Sequence, residues 1–241
     1  SMAGIVSAEG HVFRSRDEDH FLDRVLFYYL ERPNQVCGHV LDSKGEISFS
    51  FTYSSWVTYA SSLADHLKAS GIKKGDVVLL SLPTSKEFVV AILALWWIGA
   101  IPVPIPELVS SKKTEVFKNR IDQIIGDCNP RGLIGNTLNI EQVSINSSQH
   151  VSKMILVNTD ETHQIWNSEK KIIISPTYNS DENIAFIQYT SGSTSVPKGV
   201  VITQANLRAN LQSMQERSPF SPEDKLLSWM PLYHDIDRKS T

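Results

Sequence analysis

The chain has 241 residues, of which 41% are hydrophobic and 20% charged. That is ordinary globular composition, with enough length to bury one sizeable core or two small ones. The formal net charge of −3 with no long basic block argues against nucleic acid as a partner, and two cysteines far apart in sequence, Cys37 and Cys128, argue against a disulfide scaffold and for a reducing, cytoplasmic setting.

The opening Ser1-Met2 reads as a cloning remnant, and no basic-then-apolar signal peptide follows it. The stretch QVCGHVLDSKGEISFSFTY predicts two strands about an Asp42-Ser43-Lys44-Gly45 turn, with Ile47, Phe49 and Phe51 alternating with Ser48, Ser50 and Thr52. Trp56, Ala60, Leu63 and Leu67 fall on one face at helical spacing, and Gly71 stops that helix. DVVLLSL predicts a buried strand. Thr84 with Glu87 three residues later forms a capping-box pattern opening an apolar helix that Gly99 ends. Its run from Phe88 to Ile98 has eleven residues, against roughly 20 for a membrane span, so it predicts a core helix containing Trp96 and Trp97, with no transmembrane segment.

Prolines exclude IPVPIP from the centre of a sheet. Phe117, Ile121, Ile124 and Ile125 mark a further helix face, and RGLIGN, KMILVN and KIIIS predict strands. The polar segment from about Asn136 to His150 reads as loop and short helix. IAFIQY and GVVIT predict two more strands; Thr203 caps a helix carrying Leu207, Leu211 and Met214, and KLLSWM predicts a last strand. Strands alternating with helices predict an α/β fold with mainly parallel sheets covered by helices on both sides, and a β-hairpin near the start.

Between IAFIQY and GVVIT lies a loop of hydroxyls and glycine ending in Pro197-Lys198-Gly199. Gly192 and Lys198 have Walker A separation, but Pro197 replaces the second glycine, Gly199 stands in place of the Mg²⁺-binding hydroxyl, and a strand follows instead of a helix. Two readings remain from the residues themselves: a solvated Ser/Thr turn, or a different phosphate loop. In the second, Thr190, Ser191, Ser193 and Thr194 donate to phosphate oxygens. Gly192 lets the backbone approach, Lys198 supplies a point charge, and Pro197 and Gly199 fix the turn.

The extended string YTSGSTSVPKG resembles the phosphate-loop signature of the adenylate-forming superfamily, close to Y-T-S-G-S-T-G-x-P-K-G, and departs from it only at Ser195. That superfamily includes acyl-CoA synthetases, peptide-synthetase adenylation domains, luciferases and fatty acyl-AMP ligases. The run from FTYSSW through the K-G-D-x-V turn to WWIGAIPVPI, and SWMPLYHDI near the end, resemble further family motifs in the same order, so the likeness extends from about Val25 to Asp235. Gln188 and SWMPLYHD are most similar to fatty acyl-AMP ligases, with acyl-CoA ligase, peptide-synthetase domain and a non-catalytic nucleotide-binding fragment as alternatives.

The resemblance implies ATP and Mg²⁺ as cofactors, a fatty acid as substrate, and acyl carrier protein or CoA as acceptor. It implies that Thr190, Ser191, Gly192, Ser193, Thr194, Lys198 and Gly199 hold the nucleotide phosphates and that Lys198 and His234 are catalytic, His234 lying near the reacting carboxylate or the acyl tunnel. Trp229 and Tyr233 fit core and site equally. The seven histidines show no metal-ligand spacing. Residues 3–241 then correspond to the N-terminal part of an AMP-binding domain. The later ribose, hinge and lysine motifs and the C-terminal subdomain fall beyond the chain, and residues 236–241 form an atypical tail.

Overall fold

A computed structural model describes residues 4–6, 12–14, 20–42, 44–105, 114–167, 173–177, 184–189 and 196–207. β1 (Gly4–Val6) and β2 (Val12–Arg14) form an antiparallel pair, followed by α1 (Phe21–Glu31). The predicted hairpin is β3 (Val36–Leu41) with β4 (Ile47–Thr52). Its turn is held by Asp42, whose Oδ1 accepts from the backbone N–H groups of Lys44 and Glu46, and by Gly45 at φ +79°. Phe51 is fully buried and Phe49 half-buried, whereas Ile47 is 59% exposed. The alternation is real, but the hairpin tip projects past the core that would cover its inner face.

α2 (Tyr53–Ala69) buries Trp56, Ala60, Leu63 and Leu67 completely, as their spacing requires. Thr52 and Ser55 cap it reciprocally, and Gly71 at φ +102° ends it. β5 (Val77–Ser81) leads to α3 (Lys86–Trp97), which is apolar on every side and buried on every side from Phe88 to Trp97. Its N-cap is Ser85, whose Oγ accepts from the Phe88 N–H at 3.2 Å, so the expected Thr84 capping box is displaced by one residue. The chain leaving Pro83 turns at Ser85, whose hydroxyl also reaches the Pro83 carbonyl.

β5, β6 (Ile101–Pro104), β7 (Gly132–Gly135) and β8 (Ile155–Asn158) form a parallel sheet in the order β6-β5-β7-β8. The proline-bearing strand is at the edge of this sheet, as predicted. Ile101 and Ile105 donate to β5-side carbonyls of Asp76 and Leu80, so Pro102 and Pro104 alternate away from that ladder, where no donor is required. Leu79 and Leu133 face one core layer, and Val78, Leu80 and Ile134 the other. The first layer lies against α4 (Thr114–Cys128), where Ile121, Ile124 and Ile125 are buried, and α5 (Thr137–Asn146). The second holds α1, α2 and α3 with the tryptophans Trp56, Trp96 and Trp97. The polar stretch 136–150 contains α5 and the start of α6 (Ser148–Val151), more helix than its composition suggests, since Asn136 caps α5 through its side chain.

Of KIIIS, the described residues 173–175 are not a strand. Residues 173–177 run without regular structure, because their backbone is claimed by helices: Ile174 N–H donates to Ser61 Oγ, Thr177 N–H to the Trp97 carbonyl, and the Trp97 indole to the Ile174 carbonyl. After α7 (His163–Asn167), β9 (Ile184–Tyr189) and β10 (Gly199–Thr203) pair antiparallel, and β9 runs alongside β6. Thr203 caps the following helical turn reciprocally with Asn206, and Leu207 is buried. Leu211, Met214 and KLLSWM lie outside the described residues. Among the described residues no helix is long and apolar enough to cross a membrane.

Candidate functional site

The loop singled out by its composition is the connection of the β9–β10 hairpin. The ladder pairs Tyr189 with Gly199, Gln188 with Val200 and Ile187 with Val201, so residues 190–198 leave and rejoin the sheet at one rung. Thr190, Ser191, Gly192, Ser193, Thr194 and Ser195 lie outside the described residues, as do Trp229, Tyr233 and His234. At the return of the loop, Lys198 is exposed, Val196 is 63% exposed and Pro197 half-buried. Of the residues expected to hold phosphate, Lys198 and Gly199 are therefore described together at the base of the loop.

Gly199 is there for a steric reason. A Cβ at this position would stand 3.0 Å from Cζ of Tyr189 and 3.1 Å from Cγ2 of Ile187, tight enough that those side chains would have to shift by a few tenths of an ångström. The Tyr189 ring thus covers the glycine across the rung. It is itself 5% exposed and belongs to the core layer of Leu79, Val103 and Ile121. Its hydroxyl donates to Oδ2 of Asp127 at 2.6 Å and is in hydrogen-bond contact with Cys128. Burial first, and the adjoining Asp127 carboxylate second, push the phenol well above its ordinary range, so it remains a proton donor.

Burial likewise pushes the Cys128 thiol up to about 11 and the Cys37 thiol to about 12. Neither is a thiolate near neutrality, and each behaves as a small hydrophobe. Asp127 was not singled out by sequence, because it stands 62 residues before Tyr189 in the chain.

The last turn of α4 also borders a cavity of about 570 Å³, lined by Asp76, Ile125, Asn129, Arg131, His150 and Lys153 among others. It sits where β5, β7 and β8 begin, opposite the strand ends at which α/β sheets ordinarily bind ligands. Among the described residues no group of three His, Cys, Asp or Glu side chains stands where it would hold a metal ion.

Residues 32–240 match the family model described as AMP-binding enzyme. The long-chain-fatty-acid–AMP ligase FadD28 of Mycobacterium tuberculosis is 28% identical over 199 residues, covering 79% of this chain and 33% of the relative. Naringenin synthase of Pestalotiopsis fici is 27% identical over 223 residues, covering 84% of this chain and 8% of the relative. Among solved structures, a fatty acid AMP ligase from Legionella pneumophila superposes with a TM-score of 0.66 at 27% identity, over 84% of this chain and 33% of that one. A fatty acyl-adenylate ligase from L. pneumophila, in complex with acyl adenylate and pyrophosphate, gives 0.63 at 26% identity over 82% and 32%. The chain thus spans about one third of the length of the fatty acyl-AMP ligases it matches. A match over most of its length makes this chain a member of the AMP-binding enzyme family.

Proposed function

We propose that this chain is the N-terminal part of an acyl-activating enzyme. That enzyme converts a fatty acid and MgATP to an acyl-adenylate and pyrophosphate, and passes the acyl group to the phosphopantetheine of a carrier protein. The observation that carries the reading is the hairpin loop: a run of hydroxyls and glycine that leaves and returns at one rung and ends on an exposed ammonium, Lys198. Its relatives support the acyl class, since one of them is crystallised with acyl adenylate and pyrophosphate.

A carboxylate acylates poorly because its leaving group would be oxide. Attack of a carboxylate oxygen on the α-phosphorus of ATP forms the acyl–phosphate bond and breaks the bond to pyrophosphate, which departs with the electron pair. Charge gathers on phosphate oxygens, so fixed donors and cations supply most of the barrier lowering. In this reading Thr190, Ser191, Gly192, Ser193 and Thr194 hold the β- and γ-phosphates with hydroxyl and backbone donors, Lys198 neutralises the leaving pyrophosphate, and His234 faces the carboxylate. Magnesium would be carried by the nucleotide phosphates and would offset part of their charge, beside Lys198.

The test is calorimetric titration of the chain with MgATP. Binding that Lys198→Ala weakens about tenfold or more supports the assignment, a point charge on phosphate being worth about 1.5–3 kcal/mol. Equal affinity in the variant removes Lys198 from the site. In the complete protein, acyl transfer to a carrier protein and not to CoA is the expected outcome, and transfer to CoA alone would assign the acyl-CoA ligase class instead.

A further inference from the structure

Tyr189 is the last residue of β9 before the loop and Gly199 the first of β10 after it. The hairpin is a separate two-stranded sheet, and β10 is exposed over its first three residues, with Val200 47% and Val201 50% accessible. Two-stranded hairpins are marginal by themselves. A Ser/Gly loop has many conformations to lose, whereas donors that stabilise transferring phosphate act only if they are held in place beforehand. Something outside the hairpin must therefore set its base.

The residues that do so form one continuous stack. The Gly199 backbone packs against the Tyr189 ring closely enough that a Cβ would press on it, and the ring is buried between β5, β6 and α4. Its hydroxyl then ends on Asp127 Oδ2 at 2.6 Å. Asp127 is in the last turn of α4, which carries no basic residue. A carboxylate there opposes the helix dipole, which makes it a poor residue for the helix alone. The Tyr189 hydroxyl, kept protonated by burial and by that carboxylate, gives it a partner.

We infer that Asp127 is a positioning residue for the nucleotide loop: through Tyr189 and Gly199 it fixes both ends of residues 190–198 to the C-terminal turn of α4. This rests on the phosphate reading of the loop, and it adds a residue 62 positions before Tyr189 that the loop motif does not contain.

Two readouts on the full chain test it. Calorimetry measures MgATP affinity, and amide hydrogen exchange compares residues 199–203 with β5 and β7. Tyr189→Phe and Asp127→Ala each weaken MgATP about tenfold and speed exchange in β10, while β5 and β7 keep their protection. Asp127→Asn, which retains an acceptor oxygen, recovers most of both. Unchanged β10 exchange with unchanged affinity in Tyr189→Phe and Asp127→Ala overturns the inference. So does faster exchange throughout β5, β7 and β10 alike, which would mark Asp127 as general core support. If the parent chain binds no MgATP, the phosphate reading fails, and the exchange comparison alone still decides whether Asp127 fixes the loop.

Discussion

His20 shows how one side chain sets the chain's response to acid. It caps α1 through Nδ1, which accepts from the Leu22 N–H at 3.1 Å, and its ring meets Trp96 edge-on at 6.0 Å. Burial pushes its pKa from 6.5 down to about 3, so it is neutral in the fold. The unfolded chain takes up a proton near pH 6.5 that the folded chain refuses. The contribution of His20 is therefore complete above that pH and is lost as pH falls towards 3, at about 1.4 kcal/mol per unit. Between pH 6.5 and 5 this amounts to about 2 kcal/mol. Urea midpoints at pH 7, 6 and 5 check it: the parent loses stability on acidification, and His20→Asn, which keeps a capping acceptor, shows a flatter profile. The same slope in both would remove His20 as the cause. Gly199 is a residue-scale case of another kind, where a side chain is disfavoured by a close ring and not by backbone torsion.

At the scale of elements, α3 illustrates why helix starts are set by geometry beyond the motif. Thr84 and Glu87 have capping-box spacing, yet Thr84 is exposed and it is Ser85 that bonds the Phe88 N–H. Ser85→Ala is expected to cost about 1 kcal/mol of stability, and Thr84→Ala less than about 0.5 kcal/mol. Thermal or urea unfolding of the pair distinguishes them, and a larger loss at Thr84 would restore the original capping box. The segment 173–177 shows the reverse case. Its isoleucine pair has strand composition, but Ser61 and Trp97 take up the backbone groups of Ile174 and Thr177 that a ladder would use. α1 went unassigned in the sequence reading, although Phe21, Leu22, Val25 and Leu26 carry a usable i, i+1, i+4, i+5 pattern and all four are buried.

For the molecule as a whole, two core layers share the four-stranded sheet, and the loop hairpin is docked against its proline edge. This is the scaffold on which the substrate class has to be read. An amino acid would need a buried carboxylate for its ammonium, since an unpaired buried charge is costly. The nearest residues after SWMPLY are Asp235, which belongs to the motif shared with acyl enzymes, and Asp237 in the atypical tail. An apolar tunnel needs no such partner and gains about 0.8 kcal/mol per buried methylene. The complete protein is expected to drive pyrophosphate exchange with medium or long fatty acids and to discriminate against free amino acids. Exchange supported by one amino acid and by no fatty acid reverses the assignment.

The sequence by itself determined the α/β class, the edge position of the proline strand, the core faces of α2 and α4, the all-round burial of α3 and the family through YTSGSTSVPKG. Each of these is local: a period, a missing N–H, or a contiguous string. The irregular path of residues 173–177, the neutrality of buried His20 and the Tyr189–Asp127 tie were decided only by tertiary structure, and the cap at Ser85 by the turn that follows Pro83. The first and third depend on atoms that meet across 62 to 113 residues of chain, as in Ile174 to Ser61, and the second on the water displaced around the ring. Desolvation and long-range hydrogen bonds have no signature in spacing, so the loop was legible while the residue that holds its base was not.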